Sequence, residues 1–199
     1  LLKQQALSFC GSRKASEKAL EAAGKCATEA VKNNIGTISG NAAGVDLTVH
    51  SATLEAGGWS IFVLPEGIKH FRIKKALSDI WDWDRCLVIS PYEPDDRWQV
   101  WRAMDRNELI IALGIAMIVV EAGETGGTRE AARQALKIGK PLFALSYRDS
   151  LPGNEAILRD GAKKLGISNV TGKPNIKKVI SNVGHETPQS EPEKQVMLL

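Results

Sequence analysis

Six short apolar runs, each followed by a stretch with helical periodicity, restrict this chain more than any other feature. The alternation predicts βαβ units, because parallel strands need a crossover long enough to be a helix. The runs cover residues 6–10, 36–39, 59–64, 86–90, 116–121 and 141–146. Most lack a polar residue at every second position, as expected of strands buried on both faces. The predicted class is α/β: an extended Rossmann-like fold, a mostly parallel central sheet with helices on both faces.

Between the strands, residues 16–33 place Leu20, Ala23, Ala27, Ala30 and Val31 on one helical face. Further helices are expected at 45–56, 70–79, 96–113, 127–138 and 154–165, and a last amphipathic piece at 175–181 closes the domain. Residues 1–183 read as one Rossmann-like domain that binds DNA or nucleotide. From 184 to 199 the chain is polar, proline-bearing and aperiodic, which predicts a disordered tail.

Composition narrows the partners. A formal net charge of only +3 over 199 residues means that any nucleic-acid role must rest on a local basic patch. Cys10, Cys26 and Cys86 form no C-x-x-C pair and suit small buried thiols. The apolar stretch 109–120 is broken by Gly114 and falls short of the roughly 18 residues of a membrane span. No signal-peptide pattern opens the chain, so the expected location is the cytoplasm, away from membranes. The chain begins at Leu1, as a part of a longer protein would.

In a parallel sheet the loops at the carboxyl ends of the strands carry ligands. Here they read Gly11-Ser12-Arg13-Lys14, then Ser39-Gly40-Asn41-Ala42-Ala43-Gly44-Val45-Asp46, then Glu121 to Thr128 with Gly126 and Gly127. Glycine lets backbone approach a ligand closely, and each helix start offers unpaired N–H groups and positive potential. Phosphate is the natural guest: Ser12, Ser39 and Thr128 add hydroxyls, and Arg13 a bidentate fork. The spacing is neither G-x-G-x-x-G with a later acid nor G-x-x-x-x-G-K-[ST], so dinucleotide and P-loop chemistry are set aside, and no cofactor or metal is expected. Asp46 and His50, four apart, share a helical face; without a third ligand they read as braces of the loop.

Residues 97–107 interleave Arg97, Arg102 and Arg106 with Trp98 and Trp101 on an expected helix. Arginine neutralises phosphate and indole stacks on bases, which makes single-stranded nucleic acid the expected partner. Trp101 is the expected stacking residue, while Trp98 suits a core anchor equally well. Residues 69–75 form a second basic strip, ordinarily a solvated helix face.

Taken together these motifs resemble the Smf/DprA family of DNA-processing proteins, over residues 6–165. Gly11-Ser12-Arg13 is similar to its G-S-R, 39–46 with His50 to its S-G-x-A-x-G-[IV]-D motif, 106–113 to R-N-x-[IL]-I-A-x-L, and 119–122 with 126–128 to V-V-E-A and S-G-S. The resemblance implies a dimer that binds single-stranded DNA and loads the RecA recombinase in DNA uptake and recombination, without catalysis. It assigns phosphate contacts to Arg13, the 39–44 loop and 126–128, and the pocket wall to Arg106 and Asn107. The family's aromatic three residues before R-N is Ala103 here. The family's N-terminal helical and C-terminal winged-helix domains do not appear.

Two alternatives remain: a nucleotide sensor, and a phosphoribohydrolase similar to cytokinin-activating enzymes, which carry P-G-G-x-G-T-x-x-E. In the second, the acid falls at Glu130, one residue early. One residue is about 100° of helix, which would aim it elsewhere.

Overall fold

The computed structural model describes residues 1–146, 152–168 and 171–184. Seven strands form one sheet: β1 (Ala6–Cys10), β2 (Gly36–Gly40), β3 (Ser60–Val63), β4 (Cys86–Ile89), β5 (Ala116–Val119), β6 (Leu142–Ser146) and β7 (Lys163–Gly166). Every pairing is parallel, in the order β4-β3-β2-β1-β5-β6-β7. The chain winds outward from β1 to β4, then starts again at β5 on the other side of β1. Between β1 and β5 the direction of winding reverses, and there a crevice opens beyond the carboxyl ends.

The helices are α1 (Glu17–Lys32), α2 (Val45–Glu55), α3 (Val100–Asp105), α4 (Asn107–Leu113), α5 (Gly127–Lys137), α6 (Pro152–Arg159) and α7 (Ile176–Gly184). The strand pleat sorts side chains between two cores. Ile118 and Val120 pack with α1, α2 and α7, while Met117 and Val119 pack with α4, α5 and α6. Burial on both faces explains the continuous apolar runs, and the architecture is the Rossmann-like α/β fold expected from the sequence.

Three expected helices differ in the structure. The segment 70–79 is no α-helix: short 3-10 turns at Ile68–His70 and Lys75–Leu77 are separated by extended backbone at Phe71 and Lys74. Lys74 bonds to the β2–α2 loop and Leu77 enters the core beside Leu54 and Phe62, so tertiary anchors dictate the path. The expected helix at 96–113 begins only at Val100, after an extended Gln99, and breaks at Arg106. Residues 163–165, the end of the helix expected at 154–165, belong instead to the edge strand β7, with only Leu165 buried in it. Its two lysines face water, so the run carries no apolar signal. The tail expected at 184–199 lies, beyond Gly184, outside the described residues. Among the described residues no helix is long and apolar enough to cross a membrane.

Candidate functional site

The three loops meet at the crevice. A Cβ at Gly11 would collide with Val45 Cγ2, so only glycine lets the β1 loop lie against the start of α2. Ser12 donates its N–H to Glu121 O at 2.9 Å, and Val45 donates to Ser12 O at 3.3 Å. The β1 loop is thereby tied to the end of β5 and to the β2–α2 loop. A cavity of about 450 Å³ results, lined by Gly11, Ser12, Arg13, Ala42, Asp46, Arg106, Asn107, Gly127 and Thr128 among others. Ser39, Gly40, Asn41, Gly44 and Gly126, also expected at the site, are not in this lining: Ser39 and Gly40 are buried, and Gly126 is exposed.

The β2–α2 loop is fixed by buried polar groups. Asp46 accepts from Ser39 Oγ at 2.8 Å and from Ala42 N at 3.1 Å. His50 Nε2 donates to Gly40 O at 2.7 Å, and its Nδ1 lies 2.7 Å from Ser60 Oγ. The carbonyl requires a proton on Nε2, and the Ser60 hydroxyl can serve the second nitrogen of the neutral ring. Burial pushes the His50 pKa down to about 4, because a charged ring would be desolvated. Asp46 and His50 are therefore braces of the loop, bonded within it. Lys74, which belongs in sequence to a basic strip expected to be solvated, donates to Asn41 O at 2.7 Å and Ala42 O at 2.9 Å.

Helix ends at the crevice differ. α1 is closed: Ser16 caps Ala19 N at 3.2 Å, and the Glu121 carboxylate accepts from Ser16 N and Oγ. α2 and α5 begin at Gly44 and Gly126, both with positive φ and without a side-chain cap. Apart from Val45 N, which Ser12 O accepts, their first-turn N–H groups have no side-chain cap and keep the capacity to meet an anion. The β1–α1 loop contributes a side chain, Arg13, and not a helix end.

On the cavity wall, Arg106 is almost fully buried. Its guanidinium lies 3.8 Å from Asp46 Oδ2, and its Nε is buried without a hydrogen-bond partner. A Cβ at Gly40 would overlap Arg106 Nη2, so that glycine makes the space for the guanidinium. At the lip, Arg13 Cζ stands 5.9 Å from the ring centre of Trp98. Two guanidinium groups against one carboxylate leave the cavity net positive, and Trp98 adds an aromatic wall.

Trp101 and Arg102, expected at the site, lie outside this lining. Arg102 pairs with Asp96 at 2.8 Å and packs over the Tyr92 and Trp101 rings, bracing the segment before α3. Trp101 stacks edge-on with Tyr92 at 6.1 Å and bonds Gln99 through its indole N–H. The indole at the cavity is Trp98, which precedes α3 and so does not share a helical face with Trp101. Recognising it required knowing where the helix begins.

Thr128 lines the cavity beside Cys10, whose thiol burial pushes up to about 12. Glu130, the acid of the phosphoribohydrolase alternative, bonds Arg133 at 3.0 and 3.1 Å and lines a separate groove between α4 and α5. Ala131 occupies the next position and is fully buried. Among the described residues no three His, Cys, Asp or Glu side chains gather as a metal site.

The DNA processing protein DprA of Streptococcus pneumoniae is 31% identical over 168 residues, covering 82% of this chain and 59% of the relative. DprA of Bacillus subtilis is 32% identical over 133 residues, 64% of this chain and 44% of the relative. The chain thus spans about half the length of these curated relatives. Among solved structures, DNA processing protein A of Helicobacter pylori, studied for its single-stranded DNA binding mode, superposes with a TM-score of 0.76 at 27% identity, over 91% of this chain and 83% of that one. A molybdenum cofactor carrier protein of Chlamydomonas reinhardtii, at 18% identity and a TM-score of 0.60, shares the fold alone. The family model described as DNA recombination-mediator protein A matches residues 1–172, and the chain therefore belongs to that family.

Proposed function

We propose that the crevice binds single-stranded DNA, seating the sugar-phosphate chain on the open N-termini of α2 and α5 and on Arg106 and Arg13. The observation that carries this reading is the Arg106 guanidinium, buried at the cavity with Nε unpartnered. A buried charge with spare donors is costly unless an anion completes it. Ser12, Thr128 and the glycine-rich loops around Gly44 and Gly126 shape the seat, while Asn107 stands in the wall. Trp98, and not Trp101, supplies the face on which a base stacks.

On this reading the chain acts as a cytoplasmic, dimeric DNA-processing protein that helps load RecA during recombination and uptake of DNA, without a covalent step of its own. The family match supports a part in DNA recombination, and the single-stranded DNA binding of the Helicobacter pylori relative supports the ligand. A cavity of about 450 Å³ would also hold one nucleotide, so the test separates polymer from monomer. A long oligothymidine and a mononucleotide are titrated at two salt concentrations. The polymer should bind far more tightly, with log K falling against log salt by roughly 0.7 per phosphate contacted. Equal affinities with shallow slopes would instead identify a nucleotide sensor. Trp98→Ala should weaken the polymer about tenfold with little change of slope, and Trp101→Ala should have a smaller effect.

A further inference from the structure

We infer that Asn107 reads the pairing edge of one base held in the cavity, so that the site selects an unpaired nucleotide; this rests on the reading that the crevice holds single-stranded DNA. Asn107 opens α4 directly after Arg106 and lines the cavity with it. Its side chain is nearly buried, at 8% exposure, and among the described residues its carboxamide has no hydrogen-bond partner. The other buried asparagine, Asn154, shows what a purely structural amide looks like. Its Oδ1 accepts from Ala122 N at 2.8 Å, and its Nδ2 donates to Val120 O at 2.9 Å and to Leu145 O at 2.8 Å. Asn154 is saturated by the fold, whereas Asn107 turns both donor and acceptor to the cavity. A buried polar group left in that state is costly unless a ligand completes it.

The chemistry of the amide selects the part of the ligand that it meets. The sugar-phosphate chain of DNA offers acceptors only, since deoxyribose lacks the 2′-hydroxyl. It could take up the Asn107 amino group but would leave Oδ1 unmet. A base satisfies both, because the pairing edge of each of the four bases sets an N–H donor beside an acceptor. The carboxamide carries the same pair in one plane and can form two bonds to that edge, in whichever of its two orientations fits. The contact is therefore indifferent to which base enters. It does require that the edge be free, and in a duplex the partner strand occupies it.

The rest of the wall suits the body of a base. Phe9, Val100, Met104 and Ile110 supply apolar surface, the small Ala103 leaves room between them, and Trp98 stands at the lip as a stacking face. Arg13 and Arg106, in the same lining, are left to the phosphates.

Fluorescence anisotropy tests this with an oligothymidine and the same oligomer built from N3-methylthymidine, in which the pairing edge is blocked while the backbone is kept. Wild type should bind the methylated oligomer about tenfold more weakly, as expected for the loss of two hydrogen bonds, with the salt slope unchanged. Asn107→Leu should bind plain oligothymidine about tenfold more weakly than wild type does and should no longer distinguish the two oligomers. The smaller Asn107→Ala gives the same comparison should the leucine variant not fold. Equal binding of both oligomers by wild type refutes the base contact. A methylation penalty of the same size in the variants also refutes it, since the methyl group then collides with another part of the wall. Failure of wild type to bind either oligomer overturns the crevice reading itself, whereas tight binding of both overturns only the role of Asn107.

Discussion

The β2–α2 loop is held from four directions, by Asp46, His50, Lys74 and the Arg106 guanidinium against Gly40, whereas the β5–α5 loop stands exposed from Gly123 to Gly126 at the same rim. Both lead into an uncapped helix, so both offer the same chemistry to an anion. They differ in preorganisation. The first loop can receive a phosphate without rearrangement, while the second, tied at its root where Asn154 accepts from Ala122 N, has room to adjust. A site with one rigid and one adaptable half can fix the register of a strand and still accept different bases.

Matched glycine substitutions test this contrast. Gly44 has φ 72°, and a Cβ there would sit 2.5 Å from Ser12 O and 2.6 Å from Arg13 O. Strain and overlap together should cost about 4 kcal/mol for Gly44→Ala, measured by urea unfolding. Next in size is a pH effect confined to the rigid loop. Burial holds the His50 pKa near 4, below the ordinary value of about 6.5, so the unfolded chain takes up a proton that the folded chain refuses. The contribution is fully present above about pH 6.5 and is lost as pH falls toward 4, so stability should drop by about 2 kcal/mol between pH 7 and pH 5. Denaturation curves of wild type and His50→Gln at the two pH values check this, since the variant should lack that part of the slope. The smallest effect belongs to the exposed loop. Gly126 has φ 105°, but a Cβ added there would meet nothing within 4 Å, so Gly126→Ala should cost only about 1 kcal/mol. Equal losses at Gly44 and Gly126 would erase the distinction between the loops.

Much of this was legible in the sequence, because it rests on local rules. Continuous apolar runs marked six of the strands, and small residues after them marked the rim. The shortfalls arise where tertiary contacts decide. β7 is an edge strand whose Lys163 and Lys164 face water, so its period-2 signal is one buried leucine. Residues 70–79 look helical in composition but are drawn into turns by Lys74 and Leu77. The start of α3 at Val100 leaves Trp98 on extended chain and turns it to the cavity, whereas a helix from residue 96 would have set it one turn before Trp101. The role of Lys74 had no sequence signal, since it acts on carbonyls more than 30 positions away.

The most direct test of the proposed phosphate seat is Arg13→Ala, because Arg13 is exposed and its loss should leave the fold intact. Affinity for a long oligothymidine is measured at several salt concentrations in parallel with wild type. The account predicts weaker binding to every sequence tried and a salt slope shallower by roughly 0.7. Unchanged affinity and unchanged slope would contradict it.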